Sequence, residues 1–176
     1  MSDNGEAGTR DWFRDALDRY EGPLTRYAQR ITGDFERARD VVQETFLRLC
    51  SHGREKVDGH MAEWLFTVCR NQALDLRRKE RRMTLLADDQ AAGTEARNVT
   101  PDVAAETSDA ARRILTLLED LSANQQAVIR LKFQNGLTYR EISEVTGLTI
   151  SNVGFQIHRG LQILRERMHR SGPESA

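Results

Sequence analysis

Apolar residues recur at intervals of three and four along two stretches of the chain, and the first runs from Trp12 to about residue 83. Trp12, Phe13, Ala16, Leu17 and Tyr20 predict a first helix, which the Gly22-Pro23 pair interrupts. Leu24, Tyr27, Ala28 and Ile31 predict a second, closing near Gly33. Ala38, Val41, Val42, Thr45, Phe46 and Leu49 predict a third, ending before Gly53. Ser51–His60, with Gly53 and Gly59, is expected to be a polar loop. A fourth helix starts near Met61 and buries Trp64, Leu65, Val68, Cys69, Ala73 and Leu76. No alternating pattern predicts a strand in this half.

The second stretch is also helical. Ile114, Leu117, Leu118 and Leu121 make one stripe. Ser122 with Gln125 has the form of a capping box, opening a helix through Val128, Leu131 and Phe133 that Gly136 closes. Thr138 with Glu141 is a second capping box, and Leu137 and Ile142 flank it at the spacing of a hydrophobic staple. This helix is short and stops at Gly147. Thr149 then caps a last helix carrying Ile150, Val153, Ile157, Leu161, Leu164 and Met168.

Between the two stretches the composition changes. In residues 84–108 Asp88, Asp89, Glu95, Asp102 and Glu106 face a single basic residue, Arg97, and large apolar residues are few. This predicts a flexible acidic linker. The expected organisation is all-α: a disordered tail over 1–10, a helical domain over 11–83, the linker over 84–108, a second helical domain over 109–170 and a tail over 171–176. The formal net charge of −1 argues neither for nor against nucleic acid; the clustering of basic residues in two places does. The N-terminus lacks a secretory signal pattern, and no apolar run approaches the ~20 residues that span a bilayer. A cytoplasmic protein with no membrane insertion is expected. Its two cysteines, Cys50 and Cys69, sit in apolar helical patterns without a CxxC or a histidine cluster, and predict buried thiols acting as small hydrophobes.

The short helix, glycine turn and longer helix of TYREISEVTGLTISNVGFQIHRGLQILRERM follow the order of a DNA-binding helix-turn-helix. Ile142, Val145, Leu148, Val153 and Ile157 are placed to hold the two helices at a fixed angle. The opposite face of the last helix offers Ser151, Asn152, Phe155, Gln156, His158 and Arg159 to bases and phosphates. Asn and Gln suit adenine edges, Arg suits guanine or phosphate, and Phe155 suits a thymine methyl. Arg140, early in the short helix, is positioned for backbone phosphate.

Two further patches lie in the first half. Within Asp40-Val41-Val42-Gln43-Glu44-Thr45-Phe46-Leu47-Arg48, the residues Asp40, Gln43, Glu44 and Arg48 share a polar helix face, which by itself is an ordinary solvated surface. Trp64 to Asn71, continuing through Asp75 into Arg77, Arg78, Lys79, Arg81 and Arg82, sets aromatic residues beside a basic helix end. That pairing suits nucleic acid, and suits a solvated basic surface as well.

Taken together these segments resemble the bacterial sigma-70 superfamily, specifically its extracytoplasmic-function (ECF) group. DVVQETFLR is similar to the family's D-x-x-Q-E-x-F pattern of region 2.2, and WLFTVCRNQALDLRRKERR to its W-L-x-x-x-x-R-N-x-x-x-D-x-x-R-R stretch. The helix-turn-helix resembles region 4, including the preceding LSANQQAVIRLKF and the V-x-x-x-I-H-R run inside it. The resemblance covers nearly all of residues 11–170, in the family's order.

The resemblance implies a region 2 bundle and a region 4 helix-turn-helix, an alternative sigma factor acting with core RNA polymerase, and no catalysis or cofactor. Asp40, Gln43, Glu44 and Arg48 would dock on the β′ clamp helices, with Phe46 packing inward; the second domain would meet the β flap. Asn71 and the Ser51–His60 loop would lie by unpaired bases of the −10 element, with Arg77, Arg78, Arg81 and Arg82 on phosphates. Arg140, Ser151, Asn152, Phe155, Gln156, His158 and Arg159 would face the −35 element, and an anti-sigma protein is an expected partner. The chain departs from the pattern where Gly154, Phe155 and Gln156 stand in place of the usual Lys or Arg, Ser, and Arg, so the −35 sequence does not carry over. Three rivals are weighed: a free-standing helix-turn-helix regulator, a metal-dependent nuclease or phosphotransferase using Asp40, Glu44 and Asp75, and a pure protein-interaction adaptor, which leaves the helix-turn-helix unexplained.

Overall fold

The computed structural model describes residues 3–87, 116–118 and 120–170, and every regular element among them is helical. The expected linker beyond Ala87, the tail over 171–176, and Ile114 lie outside the described residues. The chain divides into two compact units, Met1–Thr100 and Pro101–Ala176.

In the first unit α1 (Asp3–Thr32), α2 (Phe35–His52) and α3 (Met61–Ala87) pack pairwise on one another. The first helix begins at Asp3, inside the stretch expected to be a tail, and Gly8, Thr9 and Arg10 are exposed. It also runs unbroken through Gly22-Pro23, so the two predicted helices are one. A proline inside a helix costs ~3 kcal/mol by removing an N–H and crowding the preceding turn. Leu24, Tyr27 and Ala28 beyond it are buried on the same stripe as Ala16 before it. Large apolar side chains contribute roughly 1.5–3 kcal/mol each on burial, so packing of the continuous helix outweighs the local penalty.

The α1–α2 corner is tied by polar groups. Gly33 takes φ 76° and its N–H donates to the Gln29 carbonyl at 2.7 Å. Asp34 caps α2 by accepting from the Arg37 N–H at 2.8 Å. α2 then buries Ala38, Val41, Val42, Thr45, Phe46 and Leu49, with the Thr45 hydroxyl donating to the Val41 carbonyl at 2.8 Å. From α3 come Leu65, Phe66, Cys69 and Ala73. Edge-on ring pairs join the helices, Phe13 with Phe46 at 6.0 Å and Tyr27 with Phe66 at 5.3 Å.

The α2–α3 connection is more ordered than the polar loop expected. Ser51 and His52 finish α2, a 3-10 turn covers Arg54–Lys56, and Val57 inserts fully into the core. α3 extends to Ala87, past the expected boundary at 83. Cys69 is buried as expected, and desolvation pushes its thiol up to about 12, opposed by a Thr45 hydrogen bond. Cys50 is exposed, contrary to expectation. It flanks the α2 stripe instead of belonging to it.

In the second unit α4 (Ala123–Phe133), α5 (Tyr139–Thr146) and α6 (Ile150–Arg170) enclose a small core of Leu118, Leu121, Val128, Ile129, Leu131, Leu137, Ile142, Val145, Val153 and Ile157. Both capping boxes form. The Gln125 N–H donates to Ser122 Oγ at 3.3 Å, and the Ser122 N–H to Gln125 Oε1 at 3.1 Å. The Glu141 N–H donates to Thr138 Oγ1 at 3.2 Å, and the Thr138 N–H to Glu141 Oε2 at 2.6 Å. Gly147 ends α5 at φ 73° and ψ 9°, the left-handed conformation that lets α6 start at a sharp angle. The Asn152 N–H donates to Thr149 Oγ1 at 3.2 Å, as the capping signal predicted. Phe133, Ile150 and Met168, expected on buried stripes, are exposed, because each lies where its helix has outrun the small core.

The two glycines of α6 have different work. A Cβ on Gly160 would stand 2.5 Å from Ile129 Cδ1, so this glycine lets α4 and α6 approach closely. A Cβ on Gly154 would meet the Tyr139 ring at 3.5 Å, an ordinary contact. Gly160→Val is therefore expected to destabilise the second unit by about 1–3 kcal/mol through overpacking. Gly154→Ala is expected to stabilise it by up to ~1 kcal/mol, by the helix propensity it restores. Native-state hydrogen exchange of α4–α6 amides measures both, and equal effects of the two changes would contradict this geometry.

Candidate functional site

Burying one side of α2 turns Asp40, Gln43, Glu44 and Arg48 outward together, and all four are exposed. Arg48 Nε pairs with Glu44 Oε1 at 3.1 Å. An exposed pair one turn apart is worth a few tenths of a kcal/mol, so a partner can exchange it at small cost. Leu47 stands among these residues with 63% of its surface exposed, an apolar centre in a polar ring. Sequence reasoning missed it, although its position three and four residues from Glu44 and Gln43 puts it on the same face. Phe46 is buried, packing inward as expected.

On α3 the side opposite Leu65, Phe66, Cys69 and Ala73 carries Asn71, Asp75, Arg78 and Arg82 in line at helical spacing. Arg77 and Arg81 fall on a flank of that line. All four arginines and Asn71 are exposed, and Arg78 Nη1 is held by Asp75 Oδ1 at 3.0 Å. The arginines thus form two strips where the sequence suggested one cluster. At the start of α3 the Trp64 ring stacks on His52 from the end of α2, with centroids 4.9 Å apart and planes 26° from parallel. The stack fixes the ends of the connection that Val57 anchors. No spacing rule in the sequence signals it, because its partners come from different helices.

In the second unit α5 and α6 form the helix-turn-helix. Val153, Ile157 and Gly160 face inward; Ser151, Phe155, His158 and Arg159 face outward, with Asn152 and Gln156 half-buried at the edge. Gln156 Nε2 donates to Asn152 Oδ1 at 3.3 Å, and Arg159 Nη1 donates to Gln162 Oε1 at 2.9 Å. Arg140 is exposed in the first turn of α5. Beside it Tyr139 packs against Gly154 and carries the Lys132 ammonium 5.5 Å from its ring centroid. The flank of α6 that lacks a side chain at Gly154 is thereby filled by an aromatic ring and a cation from two other helices, an arrangement invisible along the chain.

The carboxylates of the enzymatic reading do not converge on a metal. Glu44 pairs with Arg48 on α2 and Asp75 with Arg78 on α3, and no cluster of three His, Cys, Asp or Glu suited to a metal occurs among the described residues. No described helix is long and apolar enough to cross a membrane.

Comparison with known proteins agrees with the geometry. The sigma-70 region 2 family matches residues 16–83, and the sigma-70 region 4 family residues 111–164. The ECF RNA polymerase sigma factor SigL of Mycobacterium tuberculosis is 35% identical over 166 residues, covering 91% of this chain and 90% of SigL. SigW of Bacillus subtilis, also an ECF RNA polymerase sigma factor, is 28% identical over 171 residues, covering 92% of this chain and 91% of its own. The fold is that of the sigma factor RpoE of Bartonella quintana, solved with the anti-sigma factor NepR, at a TM-score of 0.62, 22% identity, and coverage of 90% of this chain and 98% of that one. With both regions present in order and relatives matched nearly end to end, the chain belongs to the ECF group of the sigma-70 family, the alternative sigma factors that direct promoter recognition and transcription initiation.

Proposed function

We propose that the three faces divide the work of initiation as follows. Asp40, Gln43, Glu44 and Arg48, around Leu47, dock α2 on the β′ clamp helices of core RNA polymerase. Asn71 and the Ser51–His60 connection, closed by the His52–Trp64 stack, meet unpaired bases of the −10 element, while Arg77, Arg78, Arg81 and Arg82 hold its phosphates. Arg140 and the outward face of α6 meet the −35 element as duplex, and the second unit contacts the β flap. The acidic stretch between the units threads the polymerase. An anti-sigma protein covering these faces is a natural regulator; RpoE, of the same fold, was solved in complex with the anti-sigma factor NepR. The chain works in the cytoplasm and makes or breaks no bond. The observation that carries this reading is the α2 strip: one polar face with an exposed leucine at its centre, on a helix whose other side is wholly buried.

Strand opening then follows from differential binding. Unstacking a base costs a few kcal/mol, and stacking on an aromatic side chain returns ~1–3 kcal/mol per base. Several contacts acting together on single strands, and absent for duplex, shift the equilibrium toward the open promoter.

Gel shift and run-off transcription with and without core polymerase test the reading. Specific promoter binding and a new start site are expected only with core enzyme. Tight binding by the chain alone, on sites of two-fold symmetry, would establish the free-standing regulator instead.

Two narrower outcomes follow for α2. Leu47→Ala removes an exposed side chain, so folding should be unchanged while core affinity falls about tenfold or more, the loss typical of a central interface residue; titration of labelled chain with core measures it. Cys50, exposed beside this face, is expected to react with maleimide in the free protein and to be protected once core is bound, whereas buried Cys69 stays unreactive in both. Unchanged Cys50 labelling in the complex would move the docking face elsewhere.

A further inference from the structure

The outward face of α6 carries a bare phenyl ring beside two amides, and that chemistry says what it suits. At the centre of the outward face of α6, Phe155 is 63% exposed. Its helix neighbours leave it bare: Ser151 is small, and the Arg159 guanidinium, one turn on, is drawn away to Gln162 Oε1 at 2.9 Å. Among the described residues no ring or cation is seen on Phe155, whereas Lys132 lies over the Tyr139 ring. With α6 set in the major groove as proposed above, this phenyl ring is available to an apolar group of the DNA. The major groove offers one such group, the C5-methyl of thymine.

The residues next to it complete an A·T-reading set. The hydrogen bond from Gln156 Nε2 to Asn152 Oδ1 at 3.3 Å fixes both amides relative to each other. That bond uses the Asn152 oxygen and the Gln156 nitrogen, and leaves Asn152 Nδ2 as a donor and Gln156 Oε1 as an acceptor outside it. An adenine edge presents the matching pair, the N7 acceptor and the N6 donor. No cation stands at positions 154, 155 or 156 to grip guanine or phosphate.

We infer that Phe155 is a specificity-determining residue, which selects a thymine in the −35 element by packing on its 5-methyl group, beside an adenine read by Asn152 and Gln156. This rests on the promoter-binding reading of α6 given above.

The test uses the holoenzyme of full-length chain and core polymerase. Start sites are mapped by run-off transcription on genomic fragments. The thymines of the −35 element, on both strands, are then replaced one at a time by deoxyuridine, which removes the methyl and nothing else. The wild-type holoenzyme is expected to lose about fourfold in promoter affinity at one position, the worth of one buried methyl group. Phe155→Ala, which keeps the helix, is expected to bind more weakly and to be indifferent to uracil at that position. A −35 element without A·T pairs, no uracil effect in the wild type, or an effect equal in Phe155→Ala overturns the inference while leaving the sigma assignment intact. Failure to find any core-dependent start site overturns the assignment itself.

Discussion

The burial of one side of each helix is the constraint from which every surface of this protein follows. A helix has a single circumference, so committing Ala38, Val42, Thr45 and Leu49 of α2 to the core leaves Asp40, Gln43, Glu44, Leu47 and Arg48 facing water together. The same holds for α3, where Leu65, Phe66, Cys69 and Ala73 turn Asn71, Arg78 and Arg82 outward. Neither face needs a pocket or a strained loop. Its residues are displayed on rigid scaffolding, and their spacing is set by helix geometry.

In the second unit the corresponding constraint is the angle between helices. Gly147, in the left-handed conformation, turns the chain between α5 and α6, and Gly160 lets α6 close on Ile129 of α4. With Ile142, Val145, Val153 and Ile157 interlocked behind it, the outward face of α6 cannot rotate without emptying the core. That rigidity is what a groove-reading helix needs, because an orientational error at its axis is magnified at the side-chain tips.

The electrostatics of these faces are local and weakly committed. Glu44 with Arg48, Asp75 with Arg78, and Arg159 with Gln162 are neighbours on one helix, solvated and cheap to exchange. Such contacts keep long side chains ordered in the free protein without competing seriously against a phosphate or a partner carboxylate. The buried polar groups behave differently. Thr45 donates within its own helix, and Cys69, its thiol pushed up by burial, serves packing.

The helical periodicity of residues 12–83 and 114–168, the two capping boxes and the Gly147 turn were all legible along the chain, because each depends on residues within about four positions of one another. The outward placement of Asp40, Gln43, Glu44, Arg48, Asn71 and Arg140 was legible for the same reason. What tertiary structure decided were the matters where local and distant forces disagree or where partners come from different helices. Pro23 argued locally for a break, and the stripe from Ala16 to Ala28 overrode it. The His52–Trp64 stack, the insertion of Val57, and the filling of the Gly154 flank by Tyr139 and Lys132 join residues far apart in sequence. Exposure of Phe133, Ile150 and Met168 depended on where the small core ends, which is a property of the packed unit and of no single helix. Periodicity along a chain reports a helix's own faces; only packing reports which neighbour occupies each of them.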